Sequence, residues 1–307
     1  MGCWRKSLLN PLQPAQRISH HGLVTSFDAN RLSFGGCAAH YDQIRPSYPL
    51  RAVRWALGEA PCRVVDLGAG TGKLTQALLR CQHRVIPVDP DIRMLAQLAV
   101  AAPGATPPTS SATVTPPTGP ATVTPLAGSA TVTPLAGSAM VTPLAGSAEA
   151  VPLAAGCVDA VMAGQAYHWF DRERAPAEIA RVLRDGGVFA PVWNIRDEAE
   201  PWVAALSEIV YGDDRCAHDG WRTPDLGPAF GPVRRAVFRH AATHTPESLV
   251  ALVRSRSYYL TAPARRRAEL ETRVRELAAT HPRLRGRESF PLPYLTIAYR
   301  AVRALRS

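Results

Sequence analysis

From residue 63 onwards, short apolar runs alternate with stretches of helical periodicity. The runs Arg63 to Leu67, Arg84 to Val88, Val158 to Met162 and Val188 to Trp193 are apolar or β-branched almost throughout, as parallel strands covered on both faces should be. Helical patterns lie between them. Leu74, Ala77, Leu78 and Cys81 fall at i, i+3, i+4 and i+7, Asp91 stands as a cap before Met94, Leu95 and Leu98, and Ile179, Val182 and Leu183 mark a helix expected to stop at Gly186-Gly187. The alternation predicts an α/β fold, a Rossmann-like doubly wound sheet with helices on both faces. Pro87 and Pro191 fall inside two of these strands, where each removes a ladder donor, so both strands are expected to be bulged or locally unpaired.

The pattern breaks between Pro103 and Gly156, where a nine-residue unit repeats: SATVTPPTG from Ser111, PATVTPLAG from Pro120, SATVTPLAG from Ser129, SAMVTPLAG from Ser138 and SAEAVPLAA from Ser147. A unit this short, with proline in every copy and no aromatic, builds no solenoid, and it lacks the Gly-Gly and Asp of the calcium-binding nonapeptide. It reads as tandem duplication of one strand-and-turn unit. The copy near Met140 to Leu144 is expected to pair in the sheet, leaving about 105–140 as a low-complexity surface insertion. Residues 1–29 show no period and read as a poorly ordered tail, with one domain over 30–307.

Chemistry concentrates in RVVDLGAGTGKLT, Arg63 to Thr75, where a strand delivers Gly68, Gly70 and Gly72 into a helix. Glycines at this spacing let the backbone turn sharply and approach a ligand beside the positive end of a helix. A P-loop would need glycine at 67 and Ser or Thr at 74, where leucines stand; a dinucleotide fingerprint would need glycine at 73, which is Lys73. Asp89 ends the second strand, where a carboxylate can accept both ribose hydroxyls of an adenosine; the alternative is that Asp89-Pro90-Asp91 only caps a helix.

The remaining pattern, Asp-x-Gly-x-Gly-x-Gly from Asp66, resembles that of class I S-adenosylmethionine-dependent methyltransferases. From about Asn30 the resemblance narrows to the type 11 small-molecule branch, near trans-aconitate methyltransferase-like enzymes. It is carried by YDQIRPSYP (Tyr41 to Pro49), GSAEAVPLAAGCVDAV, GQAYHWFD (Gly164 to Asp171), RVLRDGG (Arg181 to Gly187) and VWNIRD (Val192 to Asp197), in that order. It implies a seven-stranded sheet with its last strand antiparallel, PLPYLTIAYRAVRAL supplying that strand and its return. It also implies a helical cap at about 196–230 that selects the substrate.

The same resemblance implies S-adenosyl-L-methionine as cofactor and assigns roles. Asp66 would serve the methionine end through the loop; Gly68, Ala69, Gly70 and Gly72 would give backbone approach; Asp89 with Pro90 would hold the ribose. Ala148 and Glu149 would meet the adenine edge, Gln165 would stand at the carboxyl edge of the sheet, and Tyr41 and Arg45 would close over the methionine carboxylate. The implied reaction is methyl transfer to a small-molecule carboxylate or hydroxyl. A carboxylate needs no base; for a hydroxyl the candidate catalytic residue is His168, which otherwise forms pocket wall with Trp169 and Phe170. GQAYHWF differs from the Asn/Asp-Pro-Pro-Tyr/Phe motif of adenine and glutamine methylases, which disfavours nucleic acid as partner. Two rival readings remain: a degenerate, non-catalytic S-adenosylmethionine-binding protein, suggested by the repeats and strand prolines, and an NAD-type oxidoreductase, opposed by Lys73.

Composition changes this picture little. The 307 residues carry a net charge of +10, but Lys6 and Lys73 are the only lysines, and Ala251 to Ser307 holds 13 arginines against four glutamates. That excess reads as a basic face on C-terminal helices or a patch for an acidic substrate. The six cysteines are scattered without ligand spacing, so no metal and no disulfide framework is expected. MGCWRKSLLN lacks a secretory apolar region, Lys6 breaks the myristoylation pattern, and no run of about 18 apolar residues occurs; a cytoplasmic protein without a membrane anchor is expected.

Overall fold

The computed structural model describes residues 45–101, 141–212 and 223–304. The tail, Tyr41 and the repeat units before Val141 lie outside the described residues, as does part of the segment expected to form the cap. The chain runs α1 (Leu50–Leu57), β1 (Arg63–Leu67), α2 (Lys73–Arg80), β2 (Arg84–Asp89), α3 (Ile92–Ala101), β3 (Leu144–Ala145), β4 (Val158–Gly164), a 3-10 turn (Tyr167–Trp169), α4 (Arg174–Val182) and β5 (Leu183–Arg196). After these come α5 (Pro201–Tyr211), β6 (Arg234–His244), α6 (Pro246–Arg254), α7 (Ser257–Leu260), α8 (Ala264–Thr280) and β7 (Phe290–Val302).

The strands form one sheet in the order β3-β2-β1-β4-β5-β7-β6. The first five run parallel, and β7 is antiparallel to both neighbours. Strand order reverses between β1 and β4, and in such sheets the crevice for a ligand opens at that point, beyond the carboxyl ends of the strands. Successive residues of the inner strands feed opposite cores. Val64, Ala160 and Met162 pack with Leu78 of α2 and Val53 of α1, whereas Val65, Val161 and Ala163 pack with Ile179 and Val182 of α4. Burial on both faces is why these strands read as unbroken apolar runs.

The strand prolines are accommodated without a change of register. Pro87 stands opposite Asp66 in an unbroken β1–β2 ladder. On the other side of β2, Val85 bridges Val141 and Val88 pairs Leu144, so the ladder skips Pro87. Pro191 pairs with Ala163 of β4, and the β5–β7 ladder passes from Phe189 to Val192 without pairing the residues between them. Local unpairing on one side is therefore observed and a bulge at the prolines is not; the missing donor is turned where no ladder bond is made.

Two expectations need correction, and one strand was not anticipated. The helix containing Ile179 ends at Val182, one turn before Gly186-Gly187, because Leu183 already pairs with Val158. Gly186, at φ +71°, instead forms the outward turn that carries β5 from Leu183 to Val188. The C-terminal segment is one 13-residue strand without a return; its second partner is β6, which precedes it. The strand β6 escapes the apolar-run criterion because it is an edge, RRAVFRHAATH, with alternate residues exposed and arginines facing water.

The described part of the segment expected to form a cap packs with later helices and β7. Trp202, Val203 and Leu206 of α5 share a core with Leu249 and Val253 of α6, Leu270 and Val274 of α8, and Phe290 and Leu292 of β7. Several arginines of this region are neutralised internally: Glu271 accepts hydrogen bonds from Arg254 and Arg275 as well as Tyr259, which holds its carboxyl down at about 2. No helix among the described residues is long and apolar enough to cross a membrane, and none of their side chains form a metal-ligating cluster. Cys62, Cys81 and Cys157 are free thiols, each pushed above its ordinary pKa chiefly by burial.

Candidate active site

Between Leu67 and α2 the chain must turn from strand to helix in five residues, and it does so with Gly68 at φ +73° and Gly70 at φ +56°. A Cβ on Gly68 would lie 2.5 Å from Cβ of Ala166, so glycine there is a packing requirement. A Cβ on Gly70 would meet only Met94 Cε at 3.8 Å, so its bare backbone faces space. Asp89 fixes the loop: its Oδ2 accepts from Gly70 N at 2.9 Å and its Oδ1 from Asp91 N at 2.9 Å. Asp91 separately caps α3, accepting from Arg93 N at 3.0 Å, so the helix cap and the carboxylate at the end of β2 are different residues.

Gly68, Ala69, Gly70, Asp89 and Pro90 line one wall of a cleft of about 1000 Å³. Ala148 and Gly146 continue that wall from the segment after β3. This segment is held by Glu178 of α4, which accepts from Val151 N at 2.8 Å, and by Arg181, which donates to the carbonyls of Leu153 and Val151. Gln165, His168, Trp169 and Phe170, which follow β4, and Trp193 of β5 also line the cleft. Gln165 holds a left-handed backbone, φ +56°, uncommon for a residue with a side chain, and its Nε2 donates to Asn194 C=O at 2.8 Å. Trp193 Nε1 donates to His168 Nδ1 at 3.4 Å. That bond makes Nδ1 an acceptor and puts the proton of the neutral ring on Nε2.

Some residues expected at the site stand behind it. Asp66 is fully buried and does not line the cleft; its Oδ2 accepts from Thr75 Oγ1 at 2.6 Å, tying the end of β1 to α2. Burial pushes its carboxyl up to about 7, against the Thr75 hydrogen bonds and with a contribution from Asp89. Gly72 is the left-handed start of α2, and Glu149 turns away to accept from Asp171 N at 3.0 Å. Arg45 does line the cleft, with Nη2 donating to Ser255 C=O at 2.8 Å. Tyr41 is outside the described residues.

Other cleft residues were not anticipated. Asn194, 5% exposed, is a hub: Oδ1 accepts from Thr296 Oγ1 at 2.6 Å, and Nδ2 reaches the carbonyls of Pro46 and Ser47 at 3.4 and 3.3 Å. It thereby joins β5, β7, the segment entering α1 and Gln165. Arg256, Tyr258 and Tyr294 also line the cleft, from the α6–α7 region and the start of β7, beside Tyr211 of the 196–230 segment expected to select the substrate. Only VWNIRD could have hinted at Asn194; no local spacing links the others.

The arrangement suits an extended adenosine-bearing ligand: loop amides and a carboxylate at β1 and β2, small residues at the β3 side, and an aromatic wall beyond β4. A methyltransferase-domain family matches residues 65–190. An uncharacterized methyltransferase of Mycobacterium tuberculosis is 39% identical over 273 residues, 89% of this chain and 96% of the relative. An uncharacterized methyltransferase-like protein of Schizosaccharomyces pombe is 30% identical over 270 residues, 85% of this chain and 91% of the relative. Among solved structures, one described as a candidate type II methyltransferase from Anaeromyxobacter dehalogenans is 25% identical, with TM-score 0.56 over 86% of this chain and 99% of the other. With likeness of this extent along both chains, on a sheet whose switch point carries the glycine loop, the chain belongs to the class I S-adenosylmethionine-dependent methyltransferases.

Proposed function

We propose that this methyltransferase acts on a small-molecule acceptor bound in the cleft shared by the glycine loop, Gln165 and Trp193, with a carboxylate favoured over a hydroxyl. The observation that carries the reading is the shared cleft, lined by Asp89 and the glycine loop together with Gln165, His168 and Trp169. S-adenosylmethionine supplies a methyl group already activated on a sulfonium, so the protein's task is alignment and exclusion of water. Asp89 would accept from the ribose hydroxyls, the amides of Gly68 to Gly70 would approach the methionine portion, and Pro90 and Ala148 would flank the adenine. Arg45 would serve the methionine carboxylate, with Asp66 and Gly72 holding the loop from behind. Glu149, bonded to Asp171 N, would act by fixing the backbone around Ala148.

The preference for a carboxylate rests on His168. With Nδ1 accepting from Trp193, the neutral ring carries its proton on Nε2 and has no lone pair left for a substrate, so it is poorly placed to deprotonate one. An acceptor arriving as an anion needs no deprotonation. Incubation with methyl-tritiated cofactor and matched sets of small carboxylic acids and phenols tests this. Alkali-labile label, released as methanol, is expected from the acids; alkali-stable label confined to the phenols would overturn the preference.

A further inference from the structure

At the far end of the cleft from the glycine loop, the end of β5, the start of β7, the α6–α7 junction and the last turn of α5 converge. They bring together Arg196, Arg256, Tyr211, Tyr258 and Tyr294, with Arg45 bonded to Ser255 beside them. The Arg196 guanidinium lies over the Tyr211 ring, 5.2 Å from its centroid, and Tyr211 meets Tyr258 edge to face at 5.5 Å. The Tyr258 hydroxyl is turned towards Arg196 without hydrogen-bonding geometry. The Tyr294 hydroxyl and Arg256 Nε are buried and have no hydrogen-bond partner.

Buried donors without acceptors are costly, and here they sit together on a cleft wall. Among the described residues no carboxylate pairs with Arg196 or Arg256. The carboxylates that line the same cleft are placed otherwise: Asp89 accepts from Gly70 N and Asp91 from Arg93 N, Asp197 accepts from Ala199 N and lies 3.9 Å from Arg239, and Glu198 is exposed. Burial pushes the Tyr258 and Tyr294 hydroxyls up, and the neighbouring guanidiniums pull both down. The cluster thus presents donors and positive charge, and its complement is a group that only accepts and carries negative charge.

From these contacts we propose that Arg196, Arg256 and Tyr294, with Tyr258 beside them, form an anion subsite that seats an acidic group, carboxylate or phosphate, of the methyl acceptor. The inference rests on the methyltransferase cleft described above. The cofactor's own carboxylate is the competing occupant. At about 4.8 Å between strands, β5 and β7 stand two and three strands from β1, some 10 to 14 Å from the loop. The residues also come from the last position of β5, the α6–α7 region and β7, all outside the residues 65–190 matched by the methyltransferase-domain family. Both facts assign the subsite to the acceptor. Its aromatic surroundings, Trp169, Trp193 and Tyr211, suit an acid carried on an apolar or unsaturated body.

The test is calorimetric titration of the full chain, saturated with S-adenosylhomocysteine, with benzoate, succinate, citrate and inorganic phosphate, and with benzamide and succinamide as neutral counterparts. At least one acid should bind tenfold or more tighter than its neutral counterpart, and the tightest of them distinguishes carboxylate from phosphate. Arg256→Gln should weaken that acid at least tenfold and Tyr294→Phe about threefold or more, each leaving affinity for S-adenosylhomocysteine within twofold and the melting temperature near that of the parent. Failure of every acid to bind the cofactor-loaded chain would overturn the subsite alone. A tenfold loss of S-adenosylhomocysteine affinity in Arg256→Gln, with acids competing against it, would hand the cluster to the cofactor. Failure of the parent to bind S-adenosylhomocysteine would instead remove the cleft reading, and the subsite with it.

Discussion

Gly70 N donates to Asp89 Oδ2 at 2.9 Å, so the glycine loop after β1 and the carboxylate ending β2 are one unit. The bond aims the carboxylate at the cleft and holds the loop open beside it. Two sequence features 19 positions apart thereby become a single binding surface.

Asp89→Ala is expected to weaken binding of S-adenosylhomocysteine by about 1 to 3 kcal/mol, the loss of charge-assisted hydrogen bonds to the ribose. Because Asp89 also accepts from Gly70 N and Asp91 N, a small fall in melting temperature should accompany it. Titration calorimetry and a thermal melt read both, and unchanged affinity would refute the ribose role.

The two loop glycines should separate in their effects. Gly68→Ala drives a Cβ to 2.5 Å from that of Ala166 and should destabilise the fold by about 1 to 3 kcal/mol in denaturant titration. Gly70→Val meets no comparable clash, but it places a β-branched residue at φ +56° and intrudes on the cleft, so it should cost stability through backbone strain and also abolish cofactor binding. Normal cofactor binding by the folded Gly70→Val variant would contradict this division.

Asp66 gives a signed pH dependence. Its carboxyl is raised from about 3.8 to about 7 in the folded chain, so the folded state holds the proton more tightly than the unfolded one. Its contribution is full below about pH 4 and is lost as pH rises towards 7, by at most about 4 kcal/mol. Urea titrations of the cofactor-free parent and Asp66→Asn should show the parent gaining relative to the variant from pH 8 to pH 5. The opposite trend would mean that the buried carboxyl is ionised.

Deleting residues 106–139 should preserve folding and cofactor affinity. The copy that supplies Val141 and Leu144 to the sheet is retained, and the joint between α3 and β3 becomes a connection of ordinary length. A shortened chain that melts far below the parent would show that the earlier repeats carry structure of their own.

Local pattern settled much of this protein. Four inner strands, the helix capped by Asp91 and the turn of Gly68 to Gly72 are legible because burial on both faces, i to i+4 spacing and positive φ leave marks on neighbouring residues. Asp89 was readable for the same reason, standing at the end of a recognisable strand. Tertiary structure decided the rest. The edge strand β6 is half polar because one face meets water, and Leu183 joins a strand because Val158 is there to pair with it. Asp66 retreats behind the loop, while Asn194 becomes a hub by meeting Thr296 and Pro46 from distant parts of the chain. Arg196, Arg256, Tyr258 and Tyr294 form a cluster only when β5, β7 and the α6–α7 region close on one another. Their proximity is produced by chain crossings between segments 40 to 100 residues apart, and no local periodicity encodes it.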